Sequence, residues 1–312
     1  MAGTALVAID WGTSAARAYC LDAGGGILAR RSVALGVRHV RDGNFEAALA
    51  KLLDDLPIGL APRIGCGMVG SRQGWVEAPY VDCPASLTAL ADHLARAPMD
   101  SLTIVPGVTT RDTAGVPDVM RGEETQLLGA IAPDETGVLA VLPGTHSKWA
   151  RVEHGRIVDF TTFMTGELYA VLIDHSMLGR IAGHEPGRFS HEAFSRGVAR
   201  GLGEGELGHD LFGARTLALT GALASDDVAD WLSGLLIGRE IRGARAWALR
   251  AGIDPSVVRI IGSSELVARY TAALGDAGAL AQCADHDAAA RGLWRIAARA
   301  GIVCPMQRGV SR

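Results

Sequence analysis

Two short strings in this chain combine a tight turn with groups that bind phosphate: Asp10-Trp11-Gly12-Thr13-Ser14 and Gly144-Thr145-His146-Ser147-Lys148. In each, glycine lets the backbone approach a ligand closely, and the following hydroxyl and N–H groups can bond phosphate oxygens. Asp10 closes an apolar run, where a carboxylate can hold magnesium through water, and Lys148 adds a cation beside the second turn. The chemistry such residues would serve is phosphoryl transfer, in which positioning and charge stabilisation supply nearly all of the rate. Taken singly, a Gly-Thr-Ser turn is equally the turn of an ordinary hairpin, and Lys148 is equally a solvated surface charge.

The two strings stand in matching register. Ala8-Ile9 aligns with Ala140-Val141, Gly12-Thr13 with Gly144-Thr145, and Ala18 with Ala150, with no gap. Such an internal repeat points to a duplicated structural unit. A third turn, Gly262-Ser263-Ser264-Glu265, follows the apolar run Val258 to Ile261. It reads as a strand, a turn and a helix start whose free N–H groups and small residues suit Gly262 and Ser263 to an adenosine. A capped helix after a buried strand explains it equally well.

The elements that must position these groups follow from hydrophobic spacing. Thr4 to Asp10, Ala15 to Leu21 and Ile27 to Leu35 read as strands, Asn44 to Leu53 as a helix, Arg63 to Val69 as a strand, Ser86 to Ala95 as a helix and Leu102 to Val108 as a strand. Glu123-Glu124 opens a helical pattern running to Ile131. The second copy reads as strands over Val138 to Leu142, Lys148 to Val152 and Arg156 to Met164, and helices over Glu167 to Leu178, His191 to Leu202 and Val228 to Ala251. Val257 to Ile261 and Ala279 to Ala284 follow as strands, Glu265 to Leu274 and His286 to Ala300 as helices. The expected fold is α/β: two similar lobes, residues 1–132 and 133–312, with an active-site cleft between them and the last helix packing back on the first lobe.

Composition excludes several other classes. A net charge of −4 without a basic cluster longer than the Arg30-Arg31 pair speaks against nucleic acid as a partner. The 5 cysteines are odd in number and scattered, which disfavours a disulfide framework or a zinc site and fits a reducing cytoplasm. The 9 histidines show no metal-binding pair at helical spacing. No stretch suits a signal peptide or a membrane span, so no membrane partner is expected.

Several longer strings resemble the 2-dehydro-3-deoxygalactonokinase family, within the superfamily of actin, sugar kinases and heat-shock ATPases. They are Gly67-Met68-Val69-Gly70-Ser71-Arg72-Gln73-Gly74-Trp75, Met120-Arg121-Gly122-Glu123-Glu124-Thr125-Gln126 and Leu142-Pro143-Gly144-Thr145-His146-Ser147-Lys148-Trp149. The resemblance covers nearly the whole chain and implies that the two lobes are ribonuclease H-like. It implies ATP and magnesium as cofactors, and phosphorylation of the terminal C6 hydroxyl of 2-dehydro-3-deoxy-D-galactonate in bacterial galactonate catabolism. It also implies that the turns hold phosphate through Gly12, Thr13, Ser14, Gly144, Thr145, Ser147 and Lys148.

A hydroxylated 2-keto acid needs a cation for its carboxylate. Arg72 is the first candidate, since a guanidinium binds carboxylate in a bidentate fork, with Ser71, Gln73, Trp75 and Glu77 beside it. Arg17 and Arg121 compete for that role, and Arg72 in a structural salt bridge with Trp75 as a packing residue is the other reading. Asp10 and Glu124 are the candidate magnesium ligands, and Asp10, Glu123 and His146 the candidate catalytic groups. Two carboxylates at a helix start equally serve the helix dipole. Many sugar kinases of the superfamily carry an aspartate near the second hairpin; here that segment is Leu142-Pro143-Gly144, so the identity of the base stays open. Glu167 begins another helix, from which it could reach the cleft from the second lobe, or it simply starts that helix. The Gly-Glu-Glu string also resembles exopolyphosphatases, which leaves a phosphohydrolase as an alternative, and an actin-like ATPase is a third reading. Whether the chain acts alone or as a homodimer stays open as well.

Overall fold

The computed structural model describes residues 3–183, 188–285 and 287–304. The chain divides into two compact units: one of residues 1–136, 152–159 and 285–312, the other of residues 137–151 and 160–284. The division is discontinuous, whereas the sequence suggested a single cut after residue 132. The closing helix, Ala288–Arg299, groups with the first unit; His286, where the sequence reading began it, lies outside the described residues.

The first unit is built on a sheet in the order Ile27–Val33, Ala16–Leu21, Leu6–Trp11, Arg63–Cys66, Thr103–Ile104, Ala95–Arg96. The first three strands form an antiparallel meander, and Arg63–Cys66 and then Thr103–Ile104 add in parallel. Every residue of Leu6–Trp11 is buried, as expected of a central strand covered on both faces. Val7, Ile9 and Trp11 pack with Phe45, Leu49 and Leu52 of the helix Phe45–Leu53, whose N-terminus is capped by the Asn44 side chain accepting from Ala47 N. Side chains alternate along a strand, so Asp10 emerges on the face opposite Trp11.

Several short strands escaped the sequence reading or were merged by it. Leu102 to Val108 is split between Thr103–Ile104 in the main sheet and Gly107–Arg111, which joins Tyr80–Asp82 and Pro117–Met120 in a separate three-stranded sheet. Arg63–Cys66 ends before a 3-10 turn at Met68–Gly70. The helix Glu123–Ala130 lies so close to Ala288–Arg299 that a Cβ on Gly129 would meet the carbonyl oxygen of Ala288 at 1.8 Å, and one on Gly292 that of Thr125 at 1.9 Å. Arg291 Nε donates to the Gly129 carbonyl at 3.0 Å and Arg295 Nη1 to that of Ile131 at 2.9 Å. These guanidinium groups satisfy carbonyls that a helix C-terminus leaves unpaired.

The second unit repeats the strand order. Arg156–Phe163, Ser147–Glu153, Val138–Leu142, Val257–Ile260 and Leu280–Cys283 are neighbours in that sequence, the last three mutually parallel. Its hairpin tip, residues 152–159, groups with the first unit, where Ile157 pairs with Ala85. Between Arg156–Phe163 and Val257–Ile260 runs a helical insertion, closed by the 23-residue helix Val228–Arg250. Gly197 and Gly201 of His191–Leu202 face Gly234 and Gly238 of that helix at backbone contact. The helix read over Glu167 to Leu178 is two helices, Thr165–His175 and Met177–Ile181, separated at Ser176. Leu207–Leu219 is a helix that the sequence reading missed.

Candidate phosphate hairpins and the carboxylate cluster

The turn of the first hairpin is held from behind. Gly12 N donates to Ala15 O, and Val37 N, Arg38 N and Gly36 N donate to the carbonyls of Gly12, Thr13 and Ser14 at 3.0, 3.3 and 3.1 Å. A Cβ on Gly36 would lie 2.3 Å from the Thr13 carbonyl atoms, so only glycine fits there. Thr13 and Ser14 are exposed, with their carbonyls tied back. Their hydroxyls are therefore presented on a fixed frame, while the N–H of Gly12 is committed to the turn itself.

Asp10 ends the central strand opposite Arg17, whose Nη1 lies 3.3 Å from Asp10 Oδ2. Burial raises the Asp10 pKa and the Arg17 charge opposes the rise. Beside Asp10 in the parallel strand is Cys66, followed by Gly67 in a left-handed conformation (φ 91°). A Cβ on Gly67 would meet the Trp11 carbonyl oxygen at 2.8 Å, and one on Gly122 (φ 106°) the Cα of Gly67 at 3.1 Å. These two glycines bring the start of the Glu123–Ala130 helix against the end of the central strand. In the sequence Asp10 stands more than a hundred residues before Glu123 and Glu124; the fold gathers them. Burial and the charges of all three carboxylates push the Cys66 thiol well up.

Within the cluster the carboxylates differ. Glu124 is wholly buried, accepting from Gly122 N at 2.6 Å on one oxygen and from Thr125 Oγ1 at 2.8 Å on the other. Burial first, and the neighbouring Glu123 second, raise its pKa to about 7. Glu123 accepts from Arg121 N at 3.0 Å. Glu124, an expected magnesium ligand, has both of its oxygens hydrogen-bonded inside the protein. Among the described residues no group of three or more His, Cys, Asp or Glu side chains is arranged to hold a metal ion.

The expected substrate residues are dispersed in character. Ser71 Oγ donates to Met68 O, and Gly74 N and Trp75 N donate to Ser71 O and Val69 O, so residues 68–75 form a compact turn. Arg72 and Gln73 project from it into solvent; Arg72 Nε sits 3.4 Å from Glu77 Oε1, with both side chains largely exposed. Trp75, expected in the loop, instead stacks on Phe45 with ring centres 5.9 Å apart, Phe45 in turn meeting Trp11 edge to face. It packs because its ring completes the core behind the first hairpin. Arg121 is buried under Tyr80 at 4.3 Å, with Nη2 donating to Ala78 O at 2.8 Å; Nε and Nη1 are enclosed and unpartnered.

In the second unit, Ile261 N donates to Val141 O, and a Cβ on Gly262 would lie 3.5 Å from Pro143. The turn at Gly144 and the turn at Gly262-Ser263 are therefore neighbours at the C-terminal ends of two adjacent parallel strands. Gly144, Thr145 and Ser263 are intermediate to exposed. Glu167 N donates to Thr145 O at 2.9 Å, and a Cβ on Gly166 would approach Gly144 O to 2.4 Å. Glu167 also pairs with His146 through Nε2, so it does more than begin a helix. Lys148 is buried on its strand, with Nζ donating to His146 O at 3.4 Å.

Ser147 departs most from expectation. It is fully buried, with its hydroxyl 3.0 Å from Tyr270 Oη rather than facing the turn. Tyr270 donates to Glu240 at 2.8 Å, and Trp149 Nε1 donates to the other Glu240 oxygen at 2.7 Å. The sequence reading missed Glu240 and Tyr270. The signal available was a lone carboxylate in the apolar stretch Leu235 to Ile241 of the long helix. A cavity of about 740 Å³ among the helices of this unit, lined in part by Arg196, His209, Phe212 and Trp231, shares no residue with the hairpins.

Two α/β units with the same strand order, each headed by a glycine hairpin, define the class of actin-like ATPases and sugar kinases. A solved structure of ligand-bound xylulose kinase from Lactobacillus acidophilus shares this fold with a TM-score of 0.52 at 8% identity, covering 95% of this chain and 89% of that one. Within the class, the family model described as 2-keto-3-deoxy-galactonokinase matches residues 10–296. The chain belongs to that family. The 2-dehydro-3-deoxygalactonokinase of Escherichia coli (strain K12) is 37% identical over 266 residues, 85% of this chain and 87% of the relative. A crystal structure of a protein from Sinorhizobium meliloti superposes with a TM-score of 0.84 at 37% identity, covering 94% of this chain and 98% of that one.

Proposed function

We propose that this protein is a kinase that transfers the terminal phosphoryl group of ATP to the C6 hydroxyl of 2-dehydro-3-deoxy-D-galactonate, giving the 6-phosphate and ADP. Membership of the family supports the kinase activity and its place in galactonate catabolism. The observation that carries the mechanism is the convergence of Asp10 with Glu123 and Glu124 beside a braced glycine hairpin.

Asp10 is the group we assign to the acceptor hydroxyl. One of its oxygens is oriented by Arg17, and a phosphoryl transfer through a loose transition state needs the hydroxyl aligned more than deprotonated. In the second unit, the backbone around Gly144 and Thr145 and the turn at Gly262-Ser263 would orient the nucleotide; in the first, the hydroxyls of Thr13 and Ser14 suit phosphate oxygens. Magnesium suits the hard oxygen donors here: it keeps most of its waters, and Asp10 would hold it through one of them, while Glu124 stays behind as a brace. When bound, the ion would neutralise phosphate charge. Arg72 is the reading we favour for the substrate carboxylate, because its fork is exposed and its tie to Glu77 is weak; Arg121 lacks reachable N–H groups.

The described residues include no helix long and apolar enough to cross a membrane, and all 5 cysteines are free. We read the setting as the cytoplasm and the partner as a small sugar acid. A coupled assay of ADP release tests the function, with magnesium-ATP and 2-dehydro-3-deoxy-D-galactonate, the gluco epimer, or no sugar. Turnover confined to the galacto acid is expected. ADP formation that ignores the sugar would replace the kinase reading by a phosphohydrolase or an actin-like ATPase.

A further inference from the structure

Glu240 is 2% exposed, in the middle of the long helix, and belongs to no segment assigned so far. It sits in a core that includes Ile237, Ile241, Trp149 and Tyr270. A carboxylate there is desolvated, which raises its pKa, and only hydrogen bonds to it offset that cost. The donors come from three separate places. Trp149, and Ser147 through Tyr270, belong to the second hairpin; Thr165 bonds to Glu240 from the start of the helix Thr165–His175; Tyr270 lies on the helix that follows the turn at Gly262-Ser263.

Each donor is close in sequence to a surface turn. Ser147 is the first residue after the Gly144–His146 turn. Thr165 precedes Gly166 and Glu167, which pack on and bond to the carbonyls of Gly144 and Thr145. Tyr270 stands six residues beyond Ser264, where its helix begins. An apolar side chain of similar size would fill this space without desolvating a charge, so packing alone does not account for a carboxylate. A single acceptor that ties three segments together fixes their relative placement, because each hydrogen bond has a narrow range of length and direction.

We propose that Glu240 is a positioning residue for nucleotide, holding the second hairpin, the Thr165 helix start and the Gly262-Ser263 turn in one arrangement through Trp149, Ser147, Thr165 and Tyr270. This rests on the assignment of those turns to ATP. It makes Ser147 a part of the brace rather than a phosphate ligand.

The test uses the full chain and two kinds of variant. Tyr270→Phe removes the hydroxyl that ties the helix after the Gly262-Ser263 turn to both Glu240 and Ser147, with little change of volume; Glu240→Leu removes the acceptor, and Glu240→Gln is the conservative rescue. The dissociation constant for magnesium with the non-hydrolysable analogue AMPPNP, read by titration calorimetry, is expected to rise about tenfold in Glu240→Leu and about fivefold in Tyr270→Phe. Glu240→Gln should recover to within about threefold of the unaltered protein, and the KM for the sugar acid should stay within about twofold in all three. AMPPNP affinity unchanged in a folded Tyr270→Phe, or equal rises in nucleotide and sugar constants, would overturn the proposal even if Glu240→Leu fails to fold. An unaltered protein that binds AMPPNP normally but phosphorylates no sugar acid would sink the kinase reading and leave the positioning role supported by the calorimetry of the variants. An unaltered protein that binds no nucleotide overturns both.

Discussion

The hairpins that head the two units share a strand order and differ in where their charge lies. In the first, Asp10 ends the inner strand and Arg17 stands opposite on the outer one. The ungapped alignment puts Leu142 and Trp149 at those places in the second hairpin. There the rim is apolar, and the carboxylate that answers Trp149 is Glu240, buried and supplied by a distant helix. Both turns are nevertheless braced alike: Gly36 packs on the Thr13 carbonyl, Gly166 on that of Gly144. A duplicated frame thus keeps the device that shapes the turn in both copies. The places that hold an ion pair in the first copy hold buried packing side chains in the second.

Breaking this asymmetry should have its largest effect at Asp10. Asp10→Asn is expected to lower kcat about a thousandfold, the loss typical of a positioned acid–base or hydroxyl-orienting group. Single-turnover ADP release in the presence of the sugar acid measures it. A loss of less than about tenfold would mean that the carboxylate of the first hairpin is no more reactive than the leucine of the second.

The buried carboxylate of the first unit makes a thermodynamic prediction. Glu124 titrates near 7 when folded against 4.5 as its ordinary value, so the folded protein binds the extra proton between those pH values. Stability then falls as pH rises across that window: the benefit of the protonated form is full below about pH 4.5 and gone above about pH 7. The integrated change for this one group is about 3 kcal/mol. Comparing urea unfolding of the unaltered protein with Glu124→Gln at pH 5 and pH 7.5 isolates it, since the other buried carboxylates are common to both. A difference that does not change with pH would place Glu124 outside the buried cluster.

The smallest expected effect sharpens the likeness of the two turns. Gly36→Ala and Gly166→Ala each force a methyl against a carbonyl and should each cost about 1 to 3 kcal/mol by overpacking. Gly275→Ala, in a helix and with nothing within 4 Å of its added Cβ, should instead stabilise by about 0.5 to 1 kcal/mol. Denaturant midpoints distinguish these outcomes. A neutral Gly166→Ala beside a costly Gly36→Ala would show that only the first turn is braced.

Much of the frame was legible because its signals are local. Leu6 to Ile9 is a short unbroken apolar run, the mark of a central strand, and Val228 to Arg250 carries its pattern far enough to be recognised as a helix. Leu207–Leu219 was not legible. Charged residues interrupt its apolar spacing, and one of them, Asp210, is buried because Arg200 and Arg239 reach it from other helices. Tyr80–Asp82 and Pro117–Met120 are too short to show a period, and their pairing with Gly107–Arg111 is set by tertiary contacts. Trp75 and Ser147 illustrate the same limit within the site. Residue type suggested ligand contacts for both, while packing turned both inward.

By itself the sequence determined the two turns, their register and the strands around them, because glycine, hydroxyl and apolar preferences act over a few residues. Only the tertiary structure decided what each carboxylate does. Asp10 is buried against Arg17, Glu124 has both oxygens engaged, and Glu240 is enclosed by Trp149 and Tyr270, partners 91 and 30 residues away. A carboxylate's chemistry follows from its solvation and its hydrogen-bond donors, and those are set by whichever distant segments the fold brings against it.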